Sequence, residues 1–584
     1  MAGVIDSALA RRFLQDAIQK EIASGKKQID IPSGTYYFSP NEKGIHLTIE
    51  NLTDTLINAV GVNIICTKTT CAIWINRCTN LTIKGLTVDY DPLPFTQGKI
   101  QSIREDKIEY ITSEGEKKSE GCTSHCIEID KGYPTFSQED IANIKEKEAK
   151  GEGLHYEIFD HDKRTRLICE NGKNTPLQNQ GDYYGCHLDV EPDTGATGTK
   201  STPQSVDNPI VQKIRIKTRY IFQYNVENNI GVIPYSNLTK QESNSYHFPH
   251  AICIFDSTEV KLSGVTLNAS PCFGFFEFHC TNNEYNRCKS DRLDLKNDRK
   301  TLVRPRMRSL NGDGFHSISS TIGPKYLNCT AKYLGDDCVA IHGIFHIVIG
   351  EGKKENQWRI MARNDWEMKP DRSINSEEKM NIEDGDVVHI MSKEEQCVTT
   401  EAIVLKVETI DVGNEIEQAF SDELQSPPPA TAATASNKTK LTEEERVFIK
   451  SLKTNTKLQK GIRSAFAENK KVYLMTLNTG LPLEPGSLIC SANKIGNRFV
   501  VENGDFGFTR ARGILIKARS GKIHNNEINK CARGAIVLQP EYSWLEGGFP
   551  ELDQAKYKSI KLVDNKIEGK PYQLPPGPKQ PQGS

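Results

Sequence analysis

The chain has 584 residues, with 74 lysines and arginines against 76 aspartates and glutamates, for a formal net charge of −2. Near-neutrality removes the electrostatic ground for a nucleic-acid or anionic-membrane partner, and no run reaches the roughly 18–20 apolar residues of a membrane-spanning helix. With 37% hydrophobic and 8% aromatic residues the composition is that of a globular protein, and at about 150 residues per domain the length allows three or four folding units.

The opening Met-Ala-Gly-Val-Ile-Asp-Ser has no basic stretch followed by an apolar one, so no signal peptide is read in it. Leu9, Phe13, Leu14, Ala17, Ile18 and Ile22 recur at helical spacing. A first strand and turn follow at Gln28-Ile-Asp-Ile31-Pro-Ser-Gly34-Thr-Tyr36. The phrase Leu81-Thr-Ile83-Lys-Gly85-Leu86-Thr-Val88 then returns as Val260-Lys-Leu262-Ser-Gly264-Val265-Thr-Leu267. Looser copies are Ile523-His-Asn-Asn526-Glu-Ile528 and Ile560-Lys-Leu562-Val-Asp-Asn565-Lys-Ile567. Each reads as a short alternating strand, a Gly or Asn bend, and another short strand. Repeats of this size that cannot bury their inner faces alone predict an all-β parallel β-helix, its open end covered by the N-terminal helix. An antiparallel sandwich would want closely spaced Asn-Gly or Asp-Gly hairpins, which are scarce here.

The repeat is interrupted twice, and both gaps exceed ordinary loops. The organisation read from this is β-helix over 1–91, an inserted β domain over 92–247, central rungs over 248–346, a second inserted β domain over 347–490, and final rungs with a tail over 491–584. Inside the second insert, 426–436 is a Pro/Ala/Thr-rich low-complexity tract, and Thr442-Glu-Glu-Glu445 forms a capping box for a short helix.

Sixteen cysteines form no paired C-x-x-C sets, which argues against a zinc module. Cys66/Cys71/Cys78, Cys122/Cys126, Cys169/Cys186 and Cys272/Cys280/Cys288 could bridge in an oxidising compartment, or serve as small buried apolar groups. The sequence leaves both open.

Chemistry gathers in Asn311-Gly-Asp313-Gly-Phe-His316 and, one rung later, Gly335-Asp336-Asp337 with His342-Gly343. A separation of 23 to 24 residues stacks Asp313 on the Asp336–Asp337 pair, and Gly335 offers the bend that lets adjacent aspartates share a pocket. Three carboxylates in one cleft cannot all ionise cheaply, so one should keep its proton. A protonated carboxyl for the leaving oxygen and a carboxylate for water is what glycosidic cleavage requires. Solvated turn aspartates and a calcium site are the other readings of the same residues. His316 and His342 could bond sugar hydroxyls. Arg512 and Lys517 bracket a late strand, and Glu277 is a charge inside the apolar Phe275-Phe-Glu-Phe278. Trp544 between Glu541 and Glu546 reads as a sugar platform with hydroxyl acceptors. No Walker loop, dinucleotide fingerprint, G-x-S-x-G elbow or H-E-x-x-H is present.

Asn-x-Asp, Gly-Asp-Asp, His-Gly and a later Arg/Lys strand resemble the polygalacturonase-like β-helix hydrolases. More specifically, Asp89-Tyr-Asp-Pro-Leu-Pro-Phe-Thr-Gln-Gly98, Gly335-Asp-Asp-Cys-Val-Ala-Ile-His-Gly343 and Glu541-Tyr-Ser-Trp544-Leu-Glu546-Gly-Gly548 look like glycoside hydrolase family 110, the inverting exo-α-1,3-galactosidases that include blood-group B antigen-cleaving enzymes. The resemblance implies a right-handed β-helix with two inserted β-barrel-like lobes. It implies cofactor-free removal of terminal galactose from oligosaccharides or glycoconjugates, and a secreted or periplasmic protein; a homodimer is left open. By motif, Asp336 would be the general acid, with Asp313 and Asp337 holding and activating water. Glu277, Asn311, His316, His342, Arg512, Lys517, Glu541, Trp544 and Glu546 would bind substrate.

Overall fold

The computed structural model describes residues 8–111, 117–136, 157–164, 186–189, 213–218, 228–234, 249–293, 302–362, 380–391, 398–410, 440–451, 472–480, 483–539, 545–548, 560–568 and 572–573, with isolated positions 140, 142 and 412. The low-complexity tract 426–436, Cys169, Glu541 and Trp544 lie outside them.

The repeated phrases stack. Leu262, Val265 and Leu267 pair in parallel with Ile83, Leu86 and Val88, so the second copy sits directly on the first although more than 150 positions separate them. Ile523 is likewise sandwiched between Val501 and Leu562. In the early rungs the phrase is one bent strand with glycine at its corner: Gly61, Gly85 and Gly264 have φ of 79°, 59° and 68°. In later rungs the strand divides there, and Arg287, Asn328, Asn503, Asn525 and Asp564 occupy the left-handed position with φ of 52–56°. Asn and Asp tolerate that conformation because their short polar side chains bond locally. Here they also bond each other: Asn525 Nδ2 donates to Asn503 Oδ1 at 2.8 Å, and Asn503 Nδ2 to Asn328 Oδ1 at 3.4 Å.

This bent sheet, fifteen strands among the described residues, faces a second parallel sheet. The second is built in order from Ile45–Glu50, Cys71–Asn76, Ile252–Phe255, Phe275–Phe278, Phe315–Ile318, Val339–Ile344, Arg512–Ile516, Gly534–Leu538 and Tyr572–Gln573. Between them runs one continuous apolar core that includes Ile73, Ile83, Phe275, Phe315, Ile341 and Ile514. The result is a right-handed parallel β-helix, as expected. The helix Ala8–Ile22 closes its first rung. Ile22 joins the core, while Gln15 Nε2 donates to Ser39 O and His46 O, both at 2.8 Å. Gln19 exchanges two hydrogen bonds with the backbone of Thr48. The cap thus covers apolar surface and satisfies the edge strand's backbone groups. Leu14, expected on the packed face, is half exposed, while Gln15 and Gln19 reach the backbone of the neighbouring strand.

Both interruptions carry antiparallel sheet. The first contributes six strands in the order Cys186–Asp189, Lys213–Thr218, Lys117–Ile129, Phe95–Ile111, Ile230–Pro234, Glu157–Phe159; among the described residues this is an open sheet. The second is a closed barrel of His346–Glu351, Gln357–Met361, Val472–Leu477, Val398–Ile410, Val387–Met391 and Leu488–Ser491. Its helix Glu443–Ser451 carries the capping box: Glu445 N donates to Thr442 Oγ1 at 3.2 Å and Thr442 N to Glu445 Oε2 at 2.7 Å. The buried Glu445 also pairs with Arg359 at 2.9 Å. Twelve described cysteines are free thiols, ten of them buried; they fill space as small apolar groups.

Candidate active site

Phe315, Val339 and Ile514 pair in register on three consecutive rungs. Asp313, Asp337 and Arg512 each lie two positions earlier, so they form a column at the entrance to the second sheet. Gly314 N donates to Asp337 O and Cys338 N to Arg512 O, both at 3.0 Å, which carries the pairing back to these turns. Asp336 precedes Asp337, and one oxygen from each of Asp313, Asp336 and Asp337 lies within 4.8 Å of the others. Gly335 makes this approach possible, although not as a left-handed bend: a Cβ there would overlap the carbonyl oxygen of Asn311 on the previous rung.

Each carboxylate has a different partner. Asp337 is held by Arg512, with Oδ1 accepting from its backbone N at 2.6 Å and Oδ2 from Nη1 at 3.0 Å. Asp336 Oδ2 accepts from Arg510 Nη2 at 3.0 Å, and Arg510 Nε also bonds Gly335 O. Asp313 Oδ1 accepts from Asp337 N at 3.1 Å, while Oδ2 lies 2.6 Å from His316 Nδ1. Burial, reinforced by Asp336, Asp337 and Glu546, pushes the Asp313 carboxyl well above the usual range. Burial, followed by His342, pushes His316 well below its own. The Asp336 side chain is 24% exposed, those of Asp313 and Asp337 only 5%. Asp336 is therefore the member of the trio that faces outward.

From His316 the contacts continue inward. His316 Nε2 lies 2.9 Å from His342 Nε2, and His342 Nδ1 lies 2.7 Å from Gly343 O. His342 Nε2 is 3.8 Å from Glu546 Oε1, and Glu546 is salt-bridged to Lys517. Burial alone would raise the Glu546 carboxyl, but Lys517, then His342 and His316, hold it below the normal range. The imidazole of His316 stacks on Phe273 with centroids 4.3 Å apart, and Phe273 stacks on His250 at 4.5 Å. The ring therefore has little rotational freedom.

The fold thus brings together Asp313, Asp336, Asp337, His316, His342, Arg512, Lys517 and Glu546. Three expectations need correction. Glu277 shares a face with Phe275, which packs into the core, and on the paired strand that is the face opposite to His316. Its carboxyl accepts from Asn283, Tyr285, Ser317 and Ser320 inside the solenoid, at 2.7–3.0 Å. Lys517 is fully buried and pairs with Glu546, away from the solvent-facing position expected for a sugar ligand. Asn311 borders the cluster, but its amide accepts from Arg308 at 3.1 Å and donates to Pro94 O at 2.7 Å, tying the turn to the first insert. Arg308 in turn meets Glu157 of that insert. Arg510 was not anticipated; the signal was Arg510-Ala-Arg512, two cations in the turn that enters the strand Arg512–Ile516.

Carboxylate oxygens suit a hard cation, but here two of the three acids are already neutralised by arginines and the third is hydrogen-bonded to a histidine.

No protein-family profile and no curated protein matches the chain. Among solved structures it overlaps a glycosyl hydrolase candidate from Parabacteroides merdae, with a TM-score of 0.21 and 10% identity over 56% of this chain and 81% of the other. It also overlaps the A-module of the mannuronan C-5 epimerase AlgE4 from Azotobacter vinelandii, with a TM-score of 0.27 and 8% identity over 97% and 94% of the two chains.

Proposed function

We propose that the chain is an exo-acting glycoside hydrolase that removes terminal α-1,3-linked galactose, as its resemblance to family 110 implies. The observation that carries a hydrolytic reading is the convergence of Asp313, Asp336 and Asp337 within 4.8 Å, each in a distinct electrostatic setting. Carboxylates whose environments push their proton affinities apart divide into acid and base. Asp337, paired with Arg512, suits the base that takes a proton from water. Asp336, the exposed member, suits contact with the sugar. The galactose preference and the inverting outcome come with the resemblance. Most inverting enzymes separate acid and base by about 6.5–9.5 Å, wider than the nearest oxygens here, so product stereochemistry is the informative readout.

A hydrolase of acidic or sulfated polysaccharide would want cations available to the substrate. Arg510 and Arg512 lie at the right place but are bound to Asp336 and Asp337, which favours a neutral sugar. The test is release of galactose from Gal-α-1,3-Gal and from the branched B-type trisaccharide, beside galacturonan as a control, with Asp336→Asn and Asp337→Asn as variants. Galactose release by the wild type, reduced at least about 10²-fold in both variants, is expected. No release from any α-galactoside overturns the substrate, and full activity in both variants overturns the site. β-Galactose as the first product, read by proton NMR, supports inversion; α-galactose rejects it.

A further inference from the structure

The hydrogen bonds around His316 can be counted as protons. Gly343 O only accepts, so His342 Nδ1 carries a hydrogen across the 2.7 Å contact. The two Nε2 atoms 2.9 Å apart share one hydrogen, and the 2.6 Å contact between His316 Nδ1 and Asp313 Oδ2 needs another. Three hydrogen bonds in series require three protons, whereas two neutral imidazoles bring two. The third belongs either to a protonated Asp313 or to an imidazolium, and every arrangement contains it.

Three of the four carboxylates in the cleft have a permanent cation: Asp336 on Arg510, Asp337 on Arg512, Glu546 on Lys517. Among the described residues Asp313 pairs with no lysine or arginine; its ion-pair partner is His316. The groups facing it are Asp336 and Asp337 from the next rung, Glu546 beyond the histidines and the Cys272 thiol from the preceding rung. Those facing His316 are His342, Glu546, His250 and Lys517. Carboxylates around Asp313 favour its neutral form, and burial disfavours a charged imidazole at His316.

We propose, on the reading of this cluster as a hydrolytic site, that Asp313, His316 and His342 hold one proton in common, and that Asp313 is the acid from which it passes to the leaving glycosidic oxygen. His316 and His342 are positioning residues that keep Asp313 loaded. This departs from the role implied by the family resemblance, in which Asp336 is the acid. In the step, the Asp313 O–H bond breaks and its proton forms the hydroxyl of the leaving alcohol, which keeps the electron pair of the broken C–O bond. Water forms the new C–O bond and loses its proton to Asp337. The cluster ends with its proton number unchanged, on Asp337 instead of Asp313, and the proton returns through solvent before the next turnover.

The test is infrared difference spectroscopy of the full chain, wild type minus Asp313→Asn, across pH 5–8. A protonated-carboxyl C=O stretch assignable to Asp313 at neutral pH is expected. In His342→Leu the acceptor for His316 Nε2–H is gone, so His316 can turn its hydrogen toward an ionised Asp313. The stretch should then titrate away about 1–3 pH units lower. His342→Gln, whose amide oxygen can accept from His316, should restore it. If His342→Leu fails to fold, His342→Gln and Asp313→Asn still report. No protonated carboxyl at Asp313, or a titration indifferent to His342→Leu, overturns the relay. These spectra do not depend on the substrate, so inactivity toward every glycoside with the stretch present would reject the hydrolase reading and with it Asp313's role as acid, while leaving the shared proton standing.

Discussion

Lys517→Met preserves most of the side chain's length and removes only its cation. Lys517 is fully buried and Glu546, its partner, is 18% exposed in its side chain, so solvent screens the pair little. After the substitution Glu546 has two routes. Left charged, it costs about 3–5 kcal/mol, as when one partner of a buried pair is removed. Protonated, it costs what an ordinary glutamate with a pKa of about 4.3 costs at about 1.36 kcal/mol per pH unit: about 3.7 kcal/mol at pH 7 and about 1 kcal/mol at pH 5. The cheaper route prevails, so the variant should lose about 3–4 kcal/mol at pH 7 and about 1 kcal/mol at pH 5. The sign follows from linkage. In the wild type the Glu546 carboxyl is depressed, so its contribution is present above the unfolded value and lost only as pH falls toward the folded one. In the variant burial dominates, and acid relieves the defect. Urea unfolding followed by circular dichroism at the two pH values measures this, with Lys517→Met/Glu546→Gln as the control that restores stability at pH 7. Equal losses at both pH values, or no rescue by Glu546→Gln, would show that the lysine stem's packing matters and not the charge pair.

Two further outcomes follow from contacts between rungs. Gly335→Ala places a methyl against Asn311 O, which should cost about 1–3 kcal/mol of overpacking and shift Asp336 and Asp337 relative to Asp313. A displacement of about 1 Å lowers rate about 10²-fold, so the variant should fold but hydrolyse the wild-type substrate at least that much more slowly; unchanged turnover contradicts the close-approach argument. Asn526 is buried, accepts from Gly504 N at 2.8 Å and donates to Val501 O at 3.0 Å and Asn565 Oδ1 at 2.9 Å. Asn526→Ala strands these groups at about 1–3 kcal/mol each. Thermal unfolding should fall clearly, and a stability equal to wild type would show that water replaces the amide.

The parallel between expectation and structure is closest where the signal is local and repeated. The two copies ending at Val88 and Leu267 share their alternating apolar positions and the placement of one glycine and one threonine, and strings of one pattern in a solenoid bury matching faces, so they stack in register. Their glycine bend is legible because only a few residue types accept a left-handed corner. The capping box at Thr442 is legible for the same reason: both of its partners lie within one helical turn. Rung spacing also places Asp313 over Asp337, because the turn between them carries no insertion and spans 24 residues from Phe315 to Val339.

Glu277 shows where that reading fails. In sequence it is a carboxylate in an apolar strand, and the pattern Phe-Phe-Glu-Phe is the same whether the charge faces a cleft or the solenoid interior. The four hydrogen-bond partners that make the interior tolerable come from other turns and strands, at positions 283, 285, 317 and 320. Lys517 and Arg510 fail for a related reason. Each is one cation flanking the late strand Arg512–Ile516, and whether it meets solvent, substrate or a buried carboxylate depends on residues more than 20 positions away.

By itself the sequence determined the β-helix, its cap and the presence of inserted β structure, and the 24-residue turn that stacks Asp313 beside Asp337. These follow from periodicity, and periodicity is carried by neighbours along the chain. Only the tertiary structure decided which carboxylate meets an arginine, which a lysine and which a histidine. Proton affinity in a buried cluster is set by desolvation and by charges a few ångströms away, and those charges arrive from other rungs.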